Sequence, residues 1–320
     1  MKVVVTGAAG FIGSCLLRKM NDAGMVDIVA VDKLDATAKW KNLVGKTIDD
    51  YVDQDALPGM LESGKIVPGM IVHMGACSST TETNAQFLME NNYAYTKRLA
   101  VWCLARNVPF LYASSAATYG AGELGYSDGD DLVSRLHPLN MYGYSKQLFD
   151  LWLVQNKLTD KVTGFKFFNV FGPNEYHKGE MRSVICKSFE TVLREKKMKL
   201  FKSYRKEFGD GEQKRDFIYI KDALDIVWHF MENPVKKGIY NVGTGYSRSW
   251  NDLARALFSA LGMPPKIEYI EMPPALRDKY QYFTQADMSK LRRAGINHSF
   301  YSLEDAIKDY AGYLKDGSYL

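Results

Sequence analysis

The chain has 320 residues, with 41 Lys and Arg against 37 Asp and Glu, a formal charge of +4 that argues against a dedicated nucleic-acid binder. A composition 46% hydrophobic and 24% charged excludes a disordered or fibrous chain, and the length suggests two domains. No apolar run approaches the roughly 20 residues of a membrane span, and the start MKVVVTGAAGFIG lacks a leader pattern, so a cytoplasmic protein with no membrane partner is expected.

Lys2 to Thr6 (KVVVT) predicts a strand that ends in Gly7 and leads into a helix through Phe11, Ile12, Leu16 and Leu17. Further strands are predicted at Ile28 to Val31, ending at Asp32, and at Ile71 to His73, ending in GACSS. Phe110 to Ala113 runs into SSAATYG and Val162 to Phe168 into NVFGP, with helices expected over 84–106 and 141–156. This alternation predicts an α/β fold, a Rossmann-like doubly wound parallel sheet that binds ligands at its carboxyl edge. Residues 121–135, with Glu123, Asp128, Asp130 and Asp131, lack apolar periodicity and are expected to form an exposed loop.

After Pro173 the rhythm breaks. Lys187, Lys196, Lys197, Lys199, Lys202 and Lys206 fit a solvated helix face, and charge alone does not favour a basic substrate lining. A strand at Asp216 to Ile220, a helix at Ala223 to Met231 and a strand with its turn at GIYNVGTG follow. The rest reads as a smaller α+β piece that packs over the sheet's carboxyl edge and closes a cleft. Cys15, Cys77, Cys103 and Cys186 form no CxxC pair, and the five His offer no helical ligand pair, so reduced thiols and no metal are expected.

Gly7, Gly10 and Gly13 stand between strand and helix, where bare backbone lets a pyrophosphate approach helix N-terminal amides. Asp32, 19 residues beyond Gly13, is placed to accept ribose hydroxyls, which favours NAD. Lys33 and Lys39 stand near the same spot and fit either a 2′-phosphate of NADP or plain surface lysines. Residues 1–170, re-entered by 214–247, are therefore expected to form a dinucleotide-binding domain, with 171–213 and 248–320 binding substrate. Tyr142 and Lys146 lie one helical turn apart, and an ammonium near a phenol favours the phenolate that can exchange a proton with a substrate alcohol. Ser115 stands at the end of the strand predicted from Phe110, and together with the glycine motif it strengthens the pair.

TGAAGFIG, SSAATYG and YGYSK resemble the extended short-chain dehydrogenase/reductase family of nucleotide-sugar enzymes. HMGACSSTTE, NVFGPNEYHKG, KRDFIYIKD and YQYFTQADM narrow the resemblance, nearly end to end, to the branch that epimerises an ADP-linked heptose at carbon 6 for lipopolysaccharide synthesis. The resemblance implies NADP, with NAD possible, bound by Gly7, Gly10, Phe11, Ile12, Gly13, Asp32, Lys33, Lys39, Met74, Gly75, Ala76, Cys77, Ser78, Asn91, Tyr142, Lys146, Val170 and Lys178. It implies catalysis by Tyr142, Lys178, Lys146 and Ser115, with Tyr142 and Lys178 as two bases for two orientations of the sugar. It implies substrate contacts from Ser115, Asn169, Glu180, Lys187, Phe201, Lys202, Ser203, Tyr204, Arg215 and Tyr280, and a homo-oligomer, a pentamer.

The chain departs from that pattern in four places. Glu180 replaces a small hydroxyl residue and Lys187 a histidine, FKSY (Phe201 to Tyr204) replaces an FEGS-like loop followed by a longer 205–213 segment, and Gln54 replaces a lysine. A UDP-hexose 4-epimerase, a nucleotide-sugar dehydratase or a non-catalytic nucleotide sensor on the same fold are the alternatives. SSAATYG lacks the acid that a dehydratase normally pairs with its tyrosine, and a sensor need not keep Ser115, Tyr142 and Lys146.

Overall fold

The computed structural model describes residues 1–277 and 280–320. The chain opens with β1 (Val3–Thr6), α1 (Phe11–Asp22), β2 (Ile28–Asp32), β3 (Asp50–Asp53), α2 (Leu57–Glu62) and β4 (Met70–His73). It continues with α3 (Ala85–Leu88), α4 (Tyr95–Arg106), β5 (Phe110–Ser115), α5 (Met141–Gln155), β6 (Thr163–Phe167), β7 (Asn169–Phe171), α6 (Val184–Glu195) and β8 (Met198–Phe201). The remainder comprises β9 (Lys214–Tyr219), α7 (Ile220–Glu232), β10 (Gly238–Val242), β11 (Ser247–Ser249), α8 (Trp250–Ala260), β12 (Ile267–Ile270), α9 (Pro274–Arg277), α10 (Ser289–Arg293) and α11 (Leu303–Asp316).

Seven strands form one parallel sheet in the order β10-β6-β5-β4-β1-β2-β3, the Rossmann-like arrangement that the alternation predicts. Strand order reverses between β1 and β4, which leaves Thr6 and His73 side by side at their carboxyl ends. A crevice opens at such a switch point because the connections leave on opposite faces. Both faces are buried: Val3 and Val5 belong to a core cluster with residues of α1 and α7 on one side, while Val4 belongs to a cluster with residues of α2, α4 and α5 on the other. This two-sided burial is why the strands read as continuous apolar runs.

Three expectations change. The helix expected over 84–106 is interrupted by π-helical turns over Met89–Ala94. There the Asn92 amide accepts from the Cys77 N–H and donates to the Cys77 carbonyl and the Ser145 hydroxyl, each at 2.9 Å. The strand expected through Phe168 splits, because β6 ends at Phe167 and β7 pairs instead with β9 in a second sheet, β11-β9-β7. Residues 121–135 are not an exposed loop: Tyr126, Asp128 and Val133 are buried, and Asp128 accepts the Asn241 N–H at 2.8 Å. The acids of this segment suggest solvent exposure, yet Asp128 is an internal acceptor.

Behind the sheet's carboxyl edge, Lys166 and Asp150 form a buried ion pair of 2.7 Å. Asp150 also accepts from Tyr112 at 2.8 Å and Ser114 at 2.7 Å, so its charge is compensated on every side. Farther from the crevice, His298 pairs with Asp222 of α7 at 2.7 Å, and Asp222 accepts the Tyr301 N–H at 3.1 Å. That bond raises the His298 pKa against the opposing effect of burial. A folded value above the unfolded one gives stability that is full below about pH 6.5 and is lost as pH rises through the folded value. The urea midpoint difference between the native protein and His298→Gln is therefore expected to be larger at about pH 6 than at about pH 9. Equal differences would remove the ion pair from the stability balance.

Candidate active site

The glycine turn after β1 is closed to side chains. Gly7 has φ +66°, and a Cβ there would lie 2.6 Å from the Gly75 nitrogen and Cα; at Gly13 it would lie 2.1 Å from the Gly7 carbonyl oxygen. Gly10 caps α1 without a side-chain acceptor, so the first amides of the helix are available to an anion. Asp32, at the end of β2, accepts the Ala9 N–H at 2.8 Å and the Lys39 ammonium at 3.1 Å, while Lys33 reaches Asp55 at 2.7 Å. Opposite, His73 is held between Thr6 at 2.6 Å and Thr96 at 2.8 Å, its pKa pushed down to about 3 mainly by burial. It stays neutral and serves as a hydrogen-bonding strut.

Every residue expected at the cofactor lines one cleft of about 890 Å³, from the glycine turn through Asp32, Lys33, Lys39, Met74 to Ser78 and Asn91 to Tyr142, Lys146, Val170 and Lys178. Gln54 is there too, donating to the Asn91 amide oxygen at 3.0 Å.

Ser115 ends β5 and accepts the Ala117 N–H at 3.1 Å. The Asn140 side chain caps α5 through the Gly143 N–H at 2.8 Å, which sets Tyr142 and Lys146 at the start of the helix beside the strand end. Lys146 donates to the Ala113 carbonyl at 2.9 Å. Burial pushes its pKa down to about 8, with Asp150, one turn along, pulling it up. Burial also pushes the Tyr142 phenol above its ordinary range, while the Ser115 hydroxyl opposes this. Lys178 comes from a different element, the short turn Tyr176–Met181, with its ammonium 5.5 Å from the centre of the Phe11 ring. Burial lowers its pKa and Glu175 raises it. The cleft thus holds a phenol and an amine whose proton affinities are moved in opposite directions, so that the amine becomes the readier acceptor of a proton and the phenol the group that keeps one.

The residues expected at substrate divide into three groups. Ser115 and Asn169 line the cleft. Arg215 lies behind its wall, 5.8 Å from the Trp250 ring centre and 5.1 Å from that of Tyr280, and Phe201 packs 6.4 Å from Tyr280. Trp250 itself lines the cleft, so this stack is continuous with it. The others are not brought there. Lys202 pairs with Glu271 at 2.8 Å, Ser203 bonds within its own loop, and Tyr204 packs on Arg277 with 3.9 Å from guanidinium to ring centre. Glu180 projects into solvent, and Lys187 reaches the Glu180 backbone carbonyl at 3.1 Å beside a separate cavity of about 340 Å³. Sequence reasoning missed Phe87, His177, Arg182 and Trp250 in the cleft lining. The proximity of His177 and Arg182 to the expected Lys178 was the one available signal.

A parallel-sheet switch point with a bare glycine turn, a strand-end serine and a Tyr/Lys helix pair defines a dinucleotide-dependent enzyme of alcohol and carbonyl chemistry. The chain belongs to the NAD dependent epimerase/dehydratase family, which matches residues 3–243, and it is an epimerase. It is 52% identical over 309 residues to the ADP-L-glycero-D-manno-heptose-6-epimerase of Nitratidesulfovibrio vulgaris, covering 96% of both chains. It is 46% identical over 331 residues to the enzyme of that name from Fusobacterium nucleatum, covering 99% of this chain and 100% of that one. The crystal structure of Helicobacter pylori ADP-L-glycero-D-manno-heptose-6-epimerase superposes with a TM-score of 0.82 at 27% identity, covering 98% and 96% of the two chains.

A nicotinamide dinucleotide fits this donor set, with the amides of the glycine turn for its pyrophosphate and Asp32 with Lys39 at the ribose end. Gly13→Ala drives a methyl group against the Gly7 carbonyl and is expected to weaken cofactor binding by roughly tenfold or more, about 1.4 kcal/mol, in a nucleotide fluorescence titration. Wild-type affinity in a folded variant would detach the turn from the cofactor.

Proposed function

We propose that this enzyme converts ADP-D-glycero-D-manno-heptose to ADP-L-glycero-D-manno-heptose at carbon 6, with NADP as its cofactor, in the supply of heptose to lipopolysaccharide. The observation that carries the reading is the meeting of Tyr142 and Lys178, from separate elements, in the cleft that holds the glycine turn. Inverting a secondary alcohol through a ketone presents the oxygen in two orientations of the sugar, and each orientation needs its own proton carrier. The identity to the Nitratidesulfovibrio and Fusobacterium enzymes supports the heptose as substrate.

When bound, the nicotinamide supplies the redox chemistry, accepting hydride from carbon 6 and returning it to the other face. The chain's own residues move the proton. Lys178, biased toward its neutral form by burial, takes the hydroxyl proton as the alcohol is oxidised. Tyr142, biased toward its protonated form, gives a proton to the ketone oxygen of the reoriented sugar. Lys146, fixed by the Ala113 carbonyl, supplies the positive potential that favours the resulting phenolate. Ser115 donates to the reacting oxygen, Asn169 orients the sugar, and the reverse reaction exchanges the roles of Tyr142 and Lys178. Between turnovers solvent takes the proton from Lys178 and returns one to Tyr142.

Lys39 and Lys33, beside Asp32, support NADP over NAD, because a 2′-phosphate would meet two cations there. The nucleotide released on denaturing the purified protein is expected to be NADP; NAD would leave Asp32 as the governing group. The resemblance also supports a cytoplasmic homo-oligomer, a pentamer, for which light scattering should return five times the mass of one chain.

Tyr142→Phe and Lys178→Met are each expected to lower turnover by about 100-fold or more, and the double variant to leave almost none, when the two heptose epimers are separated and quantified. Full activity in both single variants would overturn the two-base assignment. An unchanged heptose with the native protein would sink the substrate reading.

A further inference from the structure

Lys178 stands on a single short turn, so its position depends on what holds the residues before it. Asn174 is fully buried; its side chain donates to the Ser14 hydroxyl at 3.0 Å and accepts the Leu320 N–H at 2.8 Å. The Glu175 carboxylate accepts from the Ser183 hydroxyl at 2.6 Å and the Tyr310 hydroxyl at 3.0 Å. Tyr176 donates to the Ser318 carbonyl at 2.9 Å, and its ring meets the Tyr319 ring edge-on at 5.1 Å. His177 is reached by the Asn42 amide at 3.2 Å.

Three of these four consecutive residues are therefore tied to the stretch from Tyr310 to Leu320. The backbone of that stretch bends to meet them, since α11 ends at Asp316 and the capping Gly317, with a φ of +60°, turns the chain back toward the Lys178 turn. Tyr310 is buried among the core side chains, so it also has a packing role. Tyr319 is only half-buried, and its ring is placed against Tyr176.

We propose that residues 317–320, through Tyr319 on Tyr176 and Leu320 on Asn174, are a positioning clasp that holds Lys178 over Phe11 in the cleft. The inference rests on the reading of Lys178 as one of the two bases. Tyr319 touches neither the cleft nor the residues assigned to chemistry; it acts through the turn that carries Lys178. The charged and titratable groups that act on that lysine are Glu175 and His177 on its own turn, and His177 in turn faces Asp32 of β2 and Lys39 from the segment after it.

The test uses the full chain carrying Tyr319→Ala and, separately, Tyr176→Phe, which keeps the ring and removes only the bond to Ser318. An amine-reactive reagent titrated from about pH 7 to about pH 11, with peptide mass spectrometry at Lys178, reads the lysine's surroundings directly. In the native protein Lys178 should label at lower pH than the exposed lysines, and in Tyr319→Ala its profile should move up toward theirs. Turnover of Tyr319→Ala should fall about tenfold with KM within about twofold and an unchanged melting temperature, and Tyr176→Phe should fall less. In a Lys178→Met background Tyr319→Ala should cost nothing further. An unchanged labelling profile, or the same fall in the Lys178→Met background, would overturn the clasp. A fully active Lys178→Met would overturn the base reading alone, since labelling still reports where the lysine sits.

Discussion

Backbone lies against backbone where the turns after β1 and β4 meet, and no side chain fits between Gly7 and Gly75. The Thr6 hydroxyl spans the gap by accepting the Gly75 N–H at 3.2 Å, and the Gly7 carbonyl closes on Gly13 at the start of α1. The direction of α1 follows from that contact, and with it the aim of the helix amides into the crevice. Two more segments hang from the same turn and helix. Asn42 donates to the Ala9 carbonyl at 2.9 Å, and Asn174 donates to Ser14 of α1 at 3.0 Å. The glycine turn and the turn that carries Lys178 thus share one support, so a displacement of either is felt by the other.

The electrostatics at the Tyr142, Lys146 and Lys178 end of the cleft come mainly from withheld water rather than from close charge pairs. Burial heads the causes that shift Tyr142, Lys146 and Lys178, and it moves phenol and amines in opposite directions. The compensated Asp150 and Lys166 pair lies one layer deeper and keeps a carboxylate within one helical turn of Lys146. Asp150 tempers the loss of the lysine's charge without competing for the substrate.

The parts of this fold that are legible in the sequence share a physical cause. A parallel strand buried on both faces must be apolar throughout, and a phosphate turn must be glycine, so β1, β2, β4, β5 and the cradle can be read residue by residue. What stays hidden depends on contacts between distant residues. Asn92 is tied to Cys77, a partner 15 residues away, and no periodicity encodes that bond or the π-helical turns around it. Asp128 looks like a loop acid until Asn241 is seen to donate to it. Glu180 and Lys187 are near Lys178 in sequence, yet Gly179, with φ +53°, turns the chain so that the lysine faces the cleft and Glu180 faces solvent. Arg215 could be expected at substrate from the resemblance of its KRDF string, whereas its place between Trp250 and Tyr280 required the packed structure.

The outermost strand of the main sheet has a consequence for how the chain is made. β6 is complete at Phe167, but its outer neighbour β10 ends only at Val242. During synthesis β6 therefore presents unpaired backbone amides and carbonyls along an apolar edge while the intervening residues are still being added. An edge of that kind is a template for another nascent chain. The long detour that builds the second layer thus puts a premium on slow protein production and chaperone cover over that interval.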